Sequence, residues 1–211
     1  MIYNCAKCKV FACENKGKEK PENCPMHEKD KMAEVISEYM KEENNEFFIT
    51  AAEVEKDGYT YWNRVRETIE MCRRMNYTHI GIAFCSGLLR EAKTAIEIFE
   101  NHGIKVSSIM CKAGGNDKTV FGISEEAKID PGYEPACNPI GQARFLADQN
   151  VDFVVVMGLC VGHDSLFYKY ISKYTDAFCT TLVVKDRVTG NNPCAALYGA
   201  HGYFKGKFGD E

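Results

Sequence analysis

The first 27 residues, MIYNCAKCKVFACENKGKEKPENCPMH, show no periodic apolar pattern and read as a polar, Lys-rich segment that burial alone cannot order. From Lys29 the pattern turns helical. Met32, Val35, Ile36 and Met40 fall on one stripe, and Tyr61, Val65, Ile69 and Cys72 on another after the turn-like KDGY. Strands and helices then alternate. THIGIAF (78–84) predicts a strand, and LLREAKTAIEIFENHG a helix with Leu88, Leu89, Ala92, Ala95, Ile96 and Phe99 on its apolar face, ended by Gly103. VSSIM (106–110) predicts the next strand. A long Gly-, Asp- and Pro-rich connection (112–136) leads to NPIGQARFLADQN, where Asn138 suits an N-cap and Pro139 the first helical turn. VDFVVVM predicts a third strand, DSLFYKYIS a helix, and FCTTLVV (178–184) a fourth strand.

Near-continuous apolar strands separated by helices predict an α/β fold: a mostly parallel, Rossmann-like open sheet of about four strands with helices on both faces. The shift in composition divides the chain into a small Cys-rich knuckle (1–28) and an α/β domain (29–211).

Composition narrows the function. Charged residues make up 27% and hydrophobic residues 45%, as in an ordinary globular protein, and the net charge is −4. With no Lys/Arg block beyond KGKEK, a nucleic-acid surface built on phosphate neutralisation is not expected. No apolar run approaches the roughly 20 residues that span a bilayer, and none follows Met1 as a signal peptide requires, so the expected location is the cytoplasm, away from membranes. The 11 cysteines are the departure. Their odd number and the expected reducing compartment favour metal, cluster or redox chemistry over disulfides.

Cys5, Cys8, Cys13 and Cys24 have the spacing C-x2-C-x4-C-x10-C. A C-x2-C pair brings two sulfurs to one ion from a tight turn, and two later thiolates complete a tetrahedron that suits zinc or iron. Metal binding would then supply the folding energy of this polar segment. His27 is a weaker substitute ligand.

A second set emerges only on the predicted scaffold. Cys85 follows the first strand, Cys111 the second and Cys160 the third, while Cys137 stands just before the helix capped by Asn138. In a parallel sheet these positions share one edge, where ligands of open α/β folds gather. The four thiols are expected to converge as cofactor-binding ligands of an iron–sulfur cluster, of the 4Fe–4S type or another nuclearity; thiolate ligation is what such clusters use. His163 and Asp164 follow Cys160 and suit acid, base or orienting roles, and Lys185 stands at the fourth strand's end with Asp186 and Arg187. Asp164 and Ser165 are equally accounted for as helix N-caps. In CKAGGNDK, Lys112 and Lys118 flank glycines suited to an anion. Cys72 and Cys179 read as core residues, and Cys194 as a reserve ligand or resolving thiol. CSGLLRE falls one residue short of the cysteine-phosphatase loop, and neither dinucleotide nor P-loop glycine motif is present.

The four-cysteine knuckle, CNPIGQA, MGLCVGHDSLF and TTLVVKDRVTGNNPCAALY together resemble an uncharacterised prokaryotic family of predicted metal-binding proteins of unknown function. The resemblance spans essentially the whole chain and implies metal binding through the cysteines and an anaerobe-weighted distribution, with no reaction attached. In site design the body is also loosely similar to desulfidases that hold a cluster on three cysteines, which implies a small, sulfur-containing substrate. Two readings stand: an iron–sulfur enzyme using its cluster as a Lewis acid on a small molecule, or a non-catalytic zinc-binding or thiol-based metal and redox sensor.

Overall fold

The computed structural model describes residues 2–209 and divides into two compact units, Met1–Asp57 and Gly58–Glu211. The division falls after residue 57, whereas the composition shift suggests 28. Two helices account for the difference: α1 (Lys29–Tyr39) and α2 (Glu42–Gly58), which lie almost wholly within the first unit. The stripe Met32, Val35, Ile36 and Met40 is indeed helical through Tyr39, yet all four side chains are exposed and α1 buries no residue. Periodicity sets the helix and does not say what it packs on. The α2 segment EENNEFFITAAEVEKDG has no clean apolar stripe, and its terminal KDG reads locally as a turn; neither signal announces the helix. Two 3-10 turns, Cys5–Lys7 and Pro25–His27, shape the cysteine-rich segment before it.

The second unit opens with α3 (Arg64–Arg74), whose first turn is held by the Asn63 side chain accepting the Arg66 N–H at 3.0 Å. Then follow β1 (His79–Phe84), α4 (Leu89–Asn101), β2 (Lys105–Met110), α5 (Pro139–Ala147), β3 (Phe153–Met157), α6 (His163–Tyr174), β4 (Phe178–Val183) and α7 (Pro193–Tyr198). The sheet is all parallel, in the order β2-β1-β3-β4. Ala83 sits beside Ile109 on one side and Val156 on the other. Asp152 fixes the start of this register by accepting the N–H groups of Thr78 and His79 at 2.8 and 2.9 Å.

Strand alternation divides the core in two. Ala83, Val154 and Val156 pack with Ala143 and Leu146 of α5 and with Phe167 and Ile171 of α6. Ile80, Ile82, Val155 and Met157, equally buried, point to the opposite face, where the right-handed crossover rule places α4. The chain leaves β1 toward β2, then crosses back over β1 to reach β3. The order therefore reverses between β1 and β3, and at such a switch point the connections diverge and leave a crevice at the strands' carboxyl ends. α5 starts at that edge as its sequence suggests: Pro139 is its first residue, and Asn138 Oδ1 accepts the Gly141 N–H at 2.9 Å. No helix among the described residues is long and apolar enough to cross a membrane.

Candidate functional site

Cys85 and Cys111 continue β1 and β2 by one residue each and keep the ladder. The Cys85 N–H donates to the Met157 carbonyl (3.1 Å), and the Cys111 N–H to that of Phe84 (2.8 Å). The Cys111 carbonyl accepts the Asn138 N–H at 2.7 Å, which brings Cys137 beside it. Gln142, fully buried on α5, donates its amide N–H groups to the carbonyls of Phe84 (3.2 Å) and Ile109 (2.7 Å), clamping both strand ends. Cys160 arrives differently. Beyond β3 the chain turns at Gly158, with φ +63°, where an added Cβ would stand 2.1 Å from a Leu88 methyl, so only glycine fits. The Cys160 carbonyl then accepts the N–H groups of His163 and Asp164, seating it before α6.

All four thiols line one cavity of about 400 Å³, with Lys112, Lys118, Glu134, His163 and Arg187 contributing polar groups. Phe121, Ile123 and Ile129 form an apolar wall from the 112–136 connection, and Ile140 and Leu166 add to it from α5 and α6. That connection is a strap that folds on itself. The buried Lys128 ammonium pairs with Asp117 (2.9 Å) and Glu125 (2.8 Å) and donates to the Gly132 carbonyl. Lys118 pairs with Glu134 at 2.7 Å on the cavity wall.

Three of the sulfurs act on one another, and the Cys111 sulfur stands 3.8 Å from the Ser86 hydroxyl oxygen, to which its thiol donates. The Cys111 thiol donating to Cys137, reinforced by the Lys112 ammonium, lowers the Cys137 thiol to about 6. The Cys85 thiol donates to Cys111 and is buried, so it is pushed up to about 12. The Ser86 N–H donates to the Cys111 sulfur at 3.3 Å. Cys160 instead accepts from the Arg187 guanidinium at 3.1 Å. The Lys185 ammonium lies 3.3 Å from the Cβ position of Gly87, itself 3.9 Å from the Cys85 sulfur, and its charge favours the Cys85 thiolate. Three thiols thus each face a cation: Cys85 with Lys185, Cys137 with Lys112, Cys160 with Arg187. Among the described residues none of these cations pairs with a carboxylate.

His163 lines the same cavity, and its Nδ1 is buried without a hydrogen-bond partner. Asp164 does not line it: its carboxylate accepts the N–H groups of Gly162 (3.0 Å) and Ser165 (2.7 Å), holding the turn that carries Cys160 and His163. Cys194 lies exposed on α7, outside the cavity. Burial pushes Cys72 and Cys179 up to about 12 and keeps them as thiols. Gln142 and Ser86 escape a reading of the sequence. A glutamine on a short helix beginning at the ligand edge is the only local hint of the clamp.

In the first unit Cys5, Cys8, Cys13 and Cys24 line a cavity of about 260 Å³. The Cys8 thiol is lowered by backbone N–H donors of Phe11 and then Val10, so the turn itself favours thiolate. His27 turns its Nε2 to the Pro21 carbonyl, 3.0 Å away. Among the described residues no three His, Cys, Asp or Glu side chains stand close enough to hold a single metal ion.

Fold and site together define a cysteine-rich α/β protein with an open parallel sheet and a thiol-lined cavity at its switch point. The chain belongs to the family described as "Protein of unknown function (DUF1847)", whose model matches residues 24–182. That range contains the four body cysteines and His163 and leaves out Cys5, Cys8, Cys13, Lys185 and Arg187. The chain is also 44% identical over 171 residues to "Uncharacterized protein MJ0455" of Methanocaldococcus jannaschii, covering 81% of this chain and 84% of that protein. No solved structure matches it significantly.

Proposed function

We propose that this is a metal-binding protein whose α/β unit holds an iron–sulfur cluster on some or all of Cys85, Cys111, Cys137 and Cys160 and acts as an enzyme on a small substrate. In the same reading the first unit binds zinc or iron through Cys5, Cys8, Cys13 and Cys24. One observation supports it above all: four thiols from four segments line one cavity, and three carboxylate-free cations face them. The donor set fits. Thiolates are the donors such a cluster takes, and four thiols line the cavity.

When bound, such a cluster supplies a Lewis-acidic iron. The protein's own groups do the rest. Lys112 helps to lower the Cys137 thiol, and Lys185 and Arg187 bring positive charge beside Cys85 and Cys160. A cavity of about 400 Å³ with an apolar wall on one side admits only a small molecule. His163, its Nδ1 unclaimed by the protein, moves a proton at the substrate. Asp164 holds the turn behind it and Lys185 adds charge beside Cys85, so both position the site.

Anaerobic purification tests this reading. Stoichiometric iron and acid-labile sulfide, with broad visible absorbance lost on exposure to air, are expected. Zinc alone, with all body thiols freely titratable, overturns it. That outcome would favour a thiol-based sensor, a reading with one observation behind it: Cys137, lowered to about 6, touches the Cys111 thiol.

A further inference from the structure

Resting on the cluster reading above, we propose that Cys160 is not a metal ligand: Cys85, Cys111 and Cys137 hold the centre, while Cys160 and Arg187 form a hydrogen-bonded pair on the substrate side of the cavity. The four cysteines are not equivalent. Cys85 and Cys111 are buried, 7% and 3% exposed, and sit on backbone locked in the sheet ladder. Cys137 is tied to Cys111 through the Asn138 N–H and through the sulfurs themselves. The Gln142 clamp spans the ends of β1 and β2 directly beneath the first two. All three therefore sit on backbone fixed by the sheet ladder and the Gln142 clamp, before any metal arrives.

Cys160 stands apart from them in three respects. It lies beyond β3 on a turn between Gly158 (φ +63°) and Gly162 (φ +86°), it is more exposed than Cys85 and Cys111, and its sulfur accepts from a guanidinium. Arg187 is aimed there by a separately built loop. The Asp186 carboxylate accepts the N–H groups of Val188 (2.9 Å) and Thr189 (3.0 Å), and the Asn191 N–H donates to the Asp186 carbonyl at 2.7 Å. The Cys160 sulfur thereby has a partner among the protein's own side chains. His163, with its unpartnered Nδ1, begins α6 three residues later and lines the same cavity. The substrate side therefore carries a cysteine sulfur, a guanidinium and an imidazole, and the metal side three cysteines.

The test uses the full chain, loaded anaerobically with ferrous iron and sulfide, in wild-type, C160S and C111S forms, with iodoacetamide labelling read by peptide mass. C160S should keep wild-type iron and sulfide, and C111S should lose them. In loaded wild-type protein Cys160 should be alkylated while Cys85, Cys111 and Cys137 stay protected. Iron lost from C160S, or Cys160 protected with the other three, overturns the division. Wild-type protein that takes up no iron overturns the cluster reading itself, a separate and recognisable result.

Discussion

Both units bring four cysteines around one cavity, by opposite routes. In the first unit the four cysteines lie within 20 residues of chain, two of them three positions apart, and little apolar burial supports them: Cys5 and Cys13 are exposed and α1 buries nothing. In the α/β unit the corresponding residues run from 85 to 160, and a parallel sheet with two apolar faces carries each to its place. The first arrangement is a property of local spacing and the second of topology. The difference teaches which comes first. Under the proposed function the first is organised by its metal, whereas the body cavity exists before anything fills it.

The largest effect expected from this contrast is on the first unit. Chelation, or Cys8→Ser, should disorder it, since structural zinc in small knuckles supplies about 10 kcal/mol or more of folding energy. The α/β unit should keep its thermal transition. Amide exchange checks both at once, and retained protection in the first unit after chelation breaks the comparison. A few kcal/mol, about 3, should follow Gly158→Ala, which puts a Cβ on Leu88 in a left-handed backbone position. Urea midpoints should fall while the first unit's exchange is unaffected.

A pH effect comes next. In metal-free, reduced protein the Cys137 thiol is lowered to about 6 by Cys111 and Lys112, below the roughly 8.5 of a free thiol. Between those values the folded chain binds fewer protons than the unfolded one, so stability rises with pH. The contribution is full above the free-thiol range and is lost as pH falls through 6. Cys137→Ala should flatten that part of the stability profile. Alkylation of Cys137 should be half-maximal near pH 6, with Cys85 inert until far more alkaline pH. Smallest of all, Asp164→Ala should cost about 1 kcal/mol through the lost turn contacts and leave metal content unchanged.

The strands were legible because each is an apolar run between turn signals, and the structure places them within a residue or two of expectation: β1 at His79–Phe84 and β4 at Phe178–Val183. Placing the cysteines at strand ends follows from that alone. The order of the strands was not legible, because which strand lies beside which depends on long-range packing that no local pattern encodes. For the same reason Gln142 reads only as a helix residue, and the pairing of Cys160 with Arg187, 27 positions on, needs the closed 186–191 loop. Helix α2 was missed for a different reason: its apolar residues are scattered and its KDG end mimics a turn.

The strap over residues 112–136 has a consequence for access in time. Its internal order rests on Lys128, Asp117, Glu125 and Glu134 and on short 3-10 turns, with Val120, Phe121 and Ile129 largely exposed. A segment held by a polar clasp and few buried apolar contacts opens as its own cooperative unit, at a free-energy cost well below global unfolding. Sub-global opening of this kind widens the cavity while β1 and β3 remain closed, so the deep sulfurs of Cys85 and Cys111 gain most from it, Cys137 and Cys160 being partly exposed already.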